Sequence, residues 1–378
     1  MTKNNIEKFN ILLINLDGLR RDKIHLIKSL DKLTKESYFF KNIDTVSPYT
    51  FASIHSIMTG TFPSNHGVNA YYNILKFKKD EITTIAEILN KENFYTACDV
   101  NNEAILSRKG FDEYNIYDET EINFKERHCS IIEKISDKQF FLFLQNTETH
   151  NNYVRNIIED ENIDDKYYFN SYNENNQKYE SHLIDTENYV KAILDTLTRL
   201  EIADKTILIF LSDHGTSLGE KYGEKFYGVF LYEYTLNVFA LFYIPGHEGK
   251  VIEKQCSTVD IFPSIMEIIN LDYETKDKKI GKSLFPIQQN EEDREVFAET
   301  GGLYGPWPSP EKHNVFCLKK NHKKIIYNNT PDTWEFYNLE DDPKEKENIF
   351  NEDSQTVKKF KIELINYLIK NNIDTNIS

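Results

Sequence analysis

Short apolar runs and helical patterns alternate along the first two thirds of this chain. Residues 11–16 (Ile-Leu-Leu-Ile-Asn-Leu), 95–100, 140–145 and 207–211 are almost continuously apolar, as expected of strands buried on both faces. Between them, apolar positions return every three or four residues. That spacing predicts helices over 24–37, 82–90 and 187–200, the last presenting Val190, Ile193, Leu194 and Leu197 on one face. Such alternation predicts an α/β fold on a large, mostly parallel sheet flanked by helices. Residues 153–180 are rich in Asn, Asp and Tyr without a clear period and read as a long loop or lid. After residue 292 strand-like pieces take over, at 295–298, 314–318 and 324–327, and 356–370 has the spacing of an amphipathic helix.

The polar residues that interrupt this pattern fall at strand ends. Asp17 follows the first run, His150 sits in Asn146-Thr-Glu-Thr-His-Asn-Asn-Tyr153 after the third, and Asp213-His214 follow the fourth. In open α/β sheets ligand crevices form beyond the carboxyl ends of the strands. Thr50 comes after a proline-containing turn and heads a short helical pattern, where free backbone N–H groups suit an anion. Carboxylates and an imidazole at buried strand ends are the usual makings of a divalent-metal site. Each residue also has a plain structural reading. Asp17-Gly18 is a common turn pair, Thr50 a serviceable helix cap, His150 an ordinary loop histidine, and Asp213-His214 a cap beside a surface ring.

Composition narrows the partners. The chain has 378 residues, 39% hydrophobic and 28% charged, ample for a large core. Its 45 Lys and Arg against 61 Asp and Glu leave a net charge of −16, which argues against nucleic acid or an anionic membrane. An acidic protein that handles an anionic ester needs a local positive centre, and a metal would supply it. The amino terminus lacks an apolar signal-peptide core, and the apolar runs are too short to span a bilayer. The four cysteines are scattered, without metal-ligand or redox spacing, so a cytoplasmic setting is expected.

Seven landmarks in order carry a family resemblance: Leu16-Asp-Gly-Leu-Arg20; Met58-Thr-Gly60 with Phe62-Pro-Ser-Asn-His-Gly67; Thr149-His-Asn-Asn-Tyr153; Ser212-Asp-His-Gly215; Leu231-Tyr-Glu233; Val259-Asp-Ile-Phe-Pro263; and Phe336-Tyr-Asn-Leu-Glu-Asp-Asp-Pro343. From about residue 10 to about 350 the chain resembles the sulfatase-like branch of the alkaline phosphatase superfamily. The resemblance implies a catalytic α/β domain over 8–292 and a smaller carboxy-terminal α+β subdomain with an antiparallel sheet over 293–378. It implies one divalent ion held by Asp17, Asp213, His214 and Thr50, with Thr50 as nucleophile and His150 assisting the leaving oxygen. Gly18 stands where relatives carry a second Asp, which weakens the case for calcium and favours manganese, zinc or magnesium. Thr50-Phe-Ala-Ser-Ile54 replaces the Cys-x-Pro-Ser-Arg that relatives oxidise to formylglycine, and threonine cannot form that aldehyde. A plain alkoxide suits phosphoryl transfer, so the expected substrate is a phosphate mono- or diester. Tyr227 occupies a place where relatives have Lys or His, and with neighbouring Lys225 is a candidate substrate contact. Ser53 reads as a hydroxyl that back-bonds within its helix, and Glu148 as a second-metal ligand or a strand-end charge. Glu299, Tyr304, Trp307 and His322 are weaker candidates for a substrate rim. Three alternatives stay open: a sulfate-ester hydrolase without formylglycine, a phosphoethanolamine- or phosphoglycerol-type transferase acting on a glycan or glycan precursor, and an inactive metal-binding scaffold. Oligomeric state is left open.

Overall fold

The computed structural model describes residues 9–119, 122–159, 165–278, 281–287, 294–303 and 314–377. One nine-stranded sheet contains β1 (Asn10–Leu16), β2 (Tyr38–Asp44), β3 (Tyr95–Val100), β4 (Glu113–Ile116), β5 (Phe140–Asn146), β6 (Thr206–Leu211), β7 (Asn237–Tyr243), β8 (Lys250–Ile252) and β9 (Cys256–Ser257). Their order is β4-β3-β5-β1-β6-β7-β2-β8, with β9 also on β2. Only β7 runs antiparallel to its neighbours.

β1 shows why the fold forms. All seven of its residues are buried, and they alternate between two cores. Ile11 and Leu13 pack with Ile54 and Ile57 of the Thr50–Thr59 helix, while Leu12, Ile14 and Leu16 pack with Tyr189, Val190 and Ile193 of the Leu183–Arg199 helix. Each such side chain contributes about 1.5–3 kcal/mol on burial. Because β5, β1 and β6 are adjacent and parallel, with Leu16 level with Asn146 and Asn15 level with Leu211, their carboxyl ends open onto one crevice.

Two stretches depart from the sequence pattern. Residues 24–37 are not one helix: a short 3-10 turn, Arg21–Leu26, precedes the Lys28–Glu36 helix. The described part of 153–180 is not a long loop: residues 153–159, 165–170 and 172–180 belong to helices Glu148–Glu159, Asp165–Asn170 and Tyr172–Ser181, anchored by fully buried Tyr153, Tyr168 and Tyr179. Few large aromatics at irregular spacing replace the usual apolar stripe, so tertiary packing overrides the weak local signal. The Ile85–Lys91 helix, by contrast, starts where Thr84 and Glu87 form a reciprocal capping box.

The carboxy-terminal region forms a four-stranded antiparallel meander of β10 (Val296–Gly301), β11 (Asn314–Lys320), β12 (Lys323–Asn328) and β13 (Thr333–Asn338), backed by the Gln355–Lys370 helix. Ala298, Val315 and Ile326 share an apolar cluster with Val229, Phe230 and Leu231, which ties this sheet to the segment after β6. The expected boundary at 292/293, and Tyr304 and Trp307, lie outside the described residues. No described helix is long and apolar enough to cross a membrane.

Candidate active site

Three neighbouring strands and one helix deliver the site. β1 ends in Asp17, whose N–H donates to Asn146 O at the end of β5 (2.9 Å). β6 ends in Ser212-Asp213-His214, and the Asp213 N–H donates to Asn15 Oδ1 in β1 (3.0 Å). The Thr50–Thr59 helix brings its first residue to the same place. Ser53, one turn on, donates to Asp213 O (2.8 Å) and bonds Thr45 (2.9 Å), so its hydroxyl fastens the helix to the loop after β6 rather than back-bonding to the helix. Thr50 makes no cap bond, because Tyr49 is the residue at the helix boundary. Its Oγ1 lies 3.2 Å from Asp17 Oδ2 and 3.2 Å from His214 Nε2.

The electrostatics of this cluster are unbalanced. One oxygen or nitrogen each from Asp17, Asp213 and His214 lie within 4.8 Å of one another, and all three residues are buried. Asp17 Oδ2 accepts from Gln145 (2.8 Å) and Asp213 Oδ1 from the Gly18 N–H (3.3 Å), but Asp17 Oδ1 and Asp213 Oδ2 make no hydrogen bond, His214 Nε2 standing 3.6 and 3.7 Å from them. His214 donates from Nδ1 to Gly215 O (2.8 Å), which in the neutral ring leaves the Nε2 lone pair facing the acids. Acceptors thus converge, and apart from the Gln145 amide and the Gly18 N–H the described residues bring only the Thr50 hydroxyl proton to them. Burial pushes the carboxyls of both Asp17 and Asp213 above the usual range, and the Asp17 charge adds to the rise at Asp213. Two buried acids with orphaned oxygens and one imidazole fit a divalent cation.

His150 lies on the first turn of the Glu148–Glu159 helix, its ring centroid 6.0 Å from that of His214. Burial, reinforced by His214, holds its pKa down at about 4, so the ring is neutral near pH 7. Gly18 makes room for it. At φ +63 this residue has no side chain, and a Cβ there would sit 2.7 Å from His150 Nδ1 and 2.9 Å from Thr216 Oγ1. The missing second acid therefore leaves space that an imidazole fills.

The Sulfatase family model matches residues 10–271, more than half of the chain. The chain belongs to the sulfatase family. A second family model, N-sulphoglucosamine sulphohydrolase C-terminal, matches residues 223–372. Human arylsulfatase K is 28% identical over 174 residues, covering 44% of this chain but only 31% of the relative's length. Among solved structures, BT4656 in complex with its substrate D-glucosamine-2-N,6-O-disulfate superposes with a TM-score of 0.77 at 16% identity, covering 96% of this chain and 98% of that one. The phosphonate monoester hydrolase of Agrobacterium radiobacter gives 0.76 at 13% identity, covering 96% and 95%.

Within this family member the other candidates separate. Tyr227 reaches the cluster, its ring 4.7 Å from His214 and 4.9 Å from His150. Lys225 is half-exposed, its carbonyl accepting from the Tyr227 N–H (2.9 Å), and it is not among the charges acting on His150. Glu148 feels Asp185 rather than the cluster, and Glu299 accepts from the Ser64 N–H (2.8 Å) well inside the protein. His322 is exposed in the β11–β12 turn. Glu220 clamps Arg20, whose guanidinium also donates to Thr216 O (2.9 Å), fixing the loop after β6 to the end of β1. Two contributors escaped the sequence reading. Asn15 and Gln145 had a signal, as polar residues inside apolar strands.

Proposed function

We propose that this chain is a metal-dependent ester hydrolase that uses Thr50 as its nucleophile and acts on a phosphorus ester. The observation that carries the reading is the Thr50 hydroxyl lying 3.2 Å from both Asp17 and His214 instead of capping its helix. Asp17, Asp213, His214 and Thr50 would hold one divalent cation, which when bound lowers the pKa of the hydroxyl and offsets charge on the transferred group. Thr50 Oγ forms a bond to phosphorus as the ester oxygen departs opposite to it, and N–H groups of the first helical turn receive the equatorial oxygens. His150, neutral and beside Tyr227, donates a hydrogen bond from its ring N–H to the departing oxygen, which takes its proton from solvent. Water then releases the phosphothreonine, with the same imidazole as base. A sulfate ester is the second reading, favoured by the similarity to arylsulfatase K and to the BT4656 structure.

Thr50→Ala is the test. With manganese or zinc restored, activity on a matched panel of aryl phosphodiester, phosphonate and sulfate should fall at least about 1,000-fold, while the fold and metal content stay unchanged. Undiminished turnover in that variant would end the proposal.

A further inference from the structure

A cavity of about 850 Å³ lies outside the crevice described above, where the loops after β1 and β6 meet the carboxy-terminal sheet. Its wall also takes in Tyr172, part of β2, the start of β7 and the 339–346 segment. None of Asp17, Thr50, His150, Asp213, His214 and Tyr227 lines it. The volume suits a small organic molecule or a short chain of charged groups.

The charges around this cavity do not balance. Every acid in its wall is already paired. Asp22 and Glu220 clamp Arg20, Glu253 meets Lys41 (3.1 Å), and Glu233 and Glu345 hold Lys324 (3.1 and 2.8 Å). Four cations are left over. Arg21, Lys344 and Lys346 form no ion pair among the described residues. The Lys221 ammonium donates to the Glu345 carbonyl and lies over the rings of Tyr232 and Tyr337 (4.6 and 5.5 Å), with no carboxylate beside it.

Two of these charges are held at the mouth by one buried residue. Glu345 sits at φ +52, and its Oε2 accepts from the Glu233 N–H (2.7 Å). Lys344 and Lys346 on either side of it are exposed. Acids outnumber bases by 16 over the whole chain, yet three separate segments bring uncompensated cations to a single cavity. Such a cluster attracts a multiply charged anion.

We propose that this cavity is a second binding site, separate from the Asp17–Asp213–His214 cluster, for a di- or triphosphate group, free or carried on a small organic molecule. Guanidinium and ammonium donors spread over three segments match charges spaced along a phosphate chain better than a single tetrahedral ion. Binding here depends neither on Thr50 nor on a metal.

Inorganic triphosphate is titrated by calorimetry into metal-stripped protein at low ionic strength. Without a cation the buried acids of the crevice repel it, so uptake reports on the cavity. The expected result is a single triphosphate per chain, bound at least about 10-fold more tightly than orthophosphate. Lys344→Glu combined with Lys346→Glu should weaken it at least about 10-fold, and Arg21→Glu, on another segment, about 3- to 10-fold. Asp213→Asn should leave it within about twofold, because that residue lies outside the cavity. Adenosine triphosphate in the same titration separates the two sources: affinity equal to or above that of inorganic triphosphate identifies a carried phosphate chain, and weaker binding a free one. No uptake, equal affinity for orthophosphate, an unchanged constant in the double lysine variant, or loss of binding in Asp213→Asn overturns the proposal.

Discussion

Two clusters of buried carboxylates in this protein are built on opposite plans. At the junction with the carboxy-terminal sheet, Lys319 pairs with Asp44 (2.9 Å) and Glu233 (2.7 Å), and Lys324 with Glu233 (3.1 Å) and Glu345 (2.8 Å). There the lysines hold the Glu233 carboxyl down at about 2 against the effect of burial, while burial still raises Asp44 and Glu345 despite their lysine partners. Beyond the carboxyl ends of β1 and β6, Asp17 and Asp213 are equally buried, yet among the described residues no lysine pairs with them, only His214 stands by at 3.6 and 3.7 Å, and both are pushed up. The first cluster carries its own cations, although Asp44 Oδ2 makes no hydrogen bond. The second, on the function proposed above, takes its cation from solution, and that difference would separate a structural ion network from a site.

The largest effect should come from breaking the first cluster. Lys324→Met leaves Glu233 and Glu345 short of a partner and should lower stability by about 3–5 kcal/mol in urea unfolding. A loss below 1 kcal/mol would show that the network is idle.

Glu299 is an intermediate case, a buried acid that accepts the Ser64 N–H, and burial raises its pKa from 4.5 to about 7. Between those values the native chain keeps a proton that the unfolded chain has released, so stability falls as pH rises through this window. Glu299→Gln should flatten that slope and leave the variant more stable than native at pH 8, by up to about 3 kcal/mol, with little difference near pH 4.5. Parallel pH profiles for the two proteins would contradict this.

The smallest effect carries the most information, because its sign reverses. In chelator, Asp213→Asn removes one uncompensated buried charge and should stabilise the protein by about 1–2 kcal/mol. Destabilisation as large as that of Lys324→Met would mean that Asp213 is already satisfied by the chain.

The same contrast explains what could be read from the sequence. β1, β3, β5 and β6 are written as apolar runs because both faces are buried, and Asp17, Asp213 and His214 stand out as the polar residues that end them. Their convergence with Thr50 follows from parallel, adjacent strands. Helices around Tyr153, Tyr168 and Tyr179 were illegible, because hydrogen bonds such as Tyr179 Oη with Gly18 O (3.0 Å) are long-range and leave no periodic trace. The lysine network was equally hidden, since Asp44 and Lys319 lie 275 residues apart.

Metal uptake tests the central claim most directly. Stripped native protein and Asp213→Asn are titrated with manganese and zinc by calorimetry, with elemental analysis of the product. The account predicts a single tight ion per chain in the native protein, weakened on the order of 100-fold in the variant. No uptake by the native protein, or equal affinity in Asp213→Asn, would contradict it.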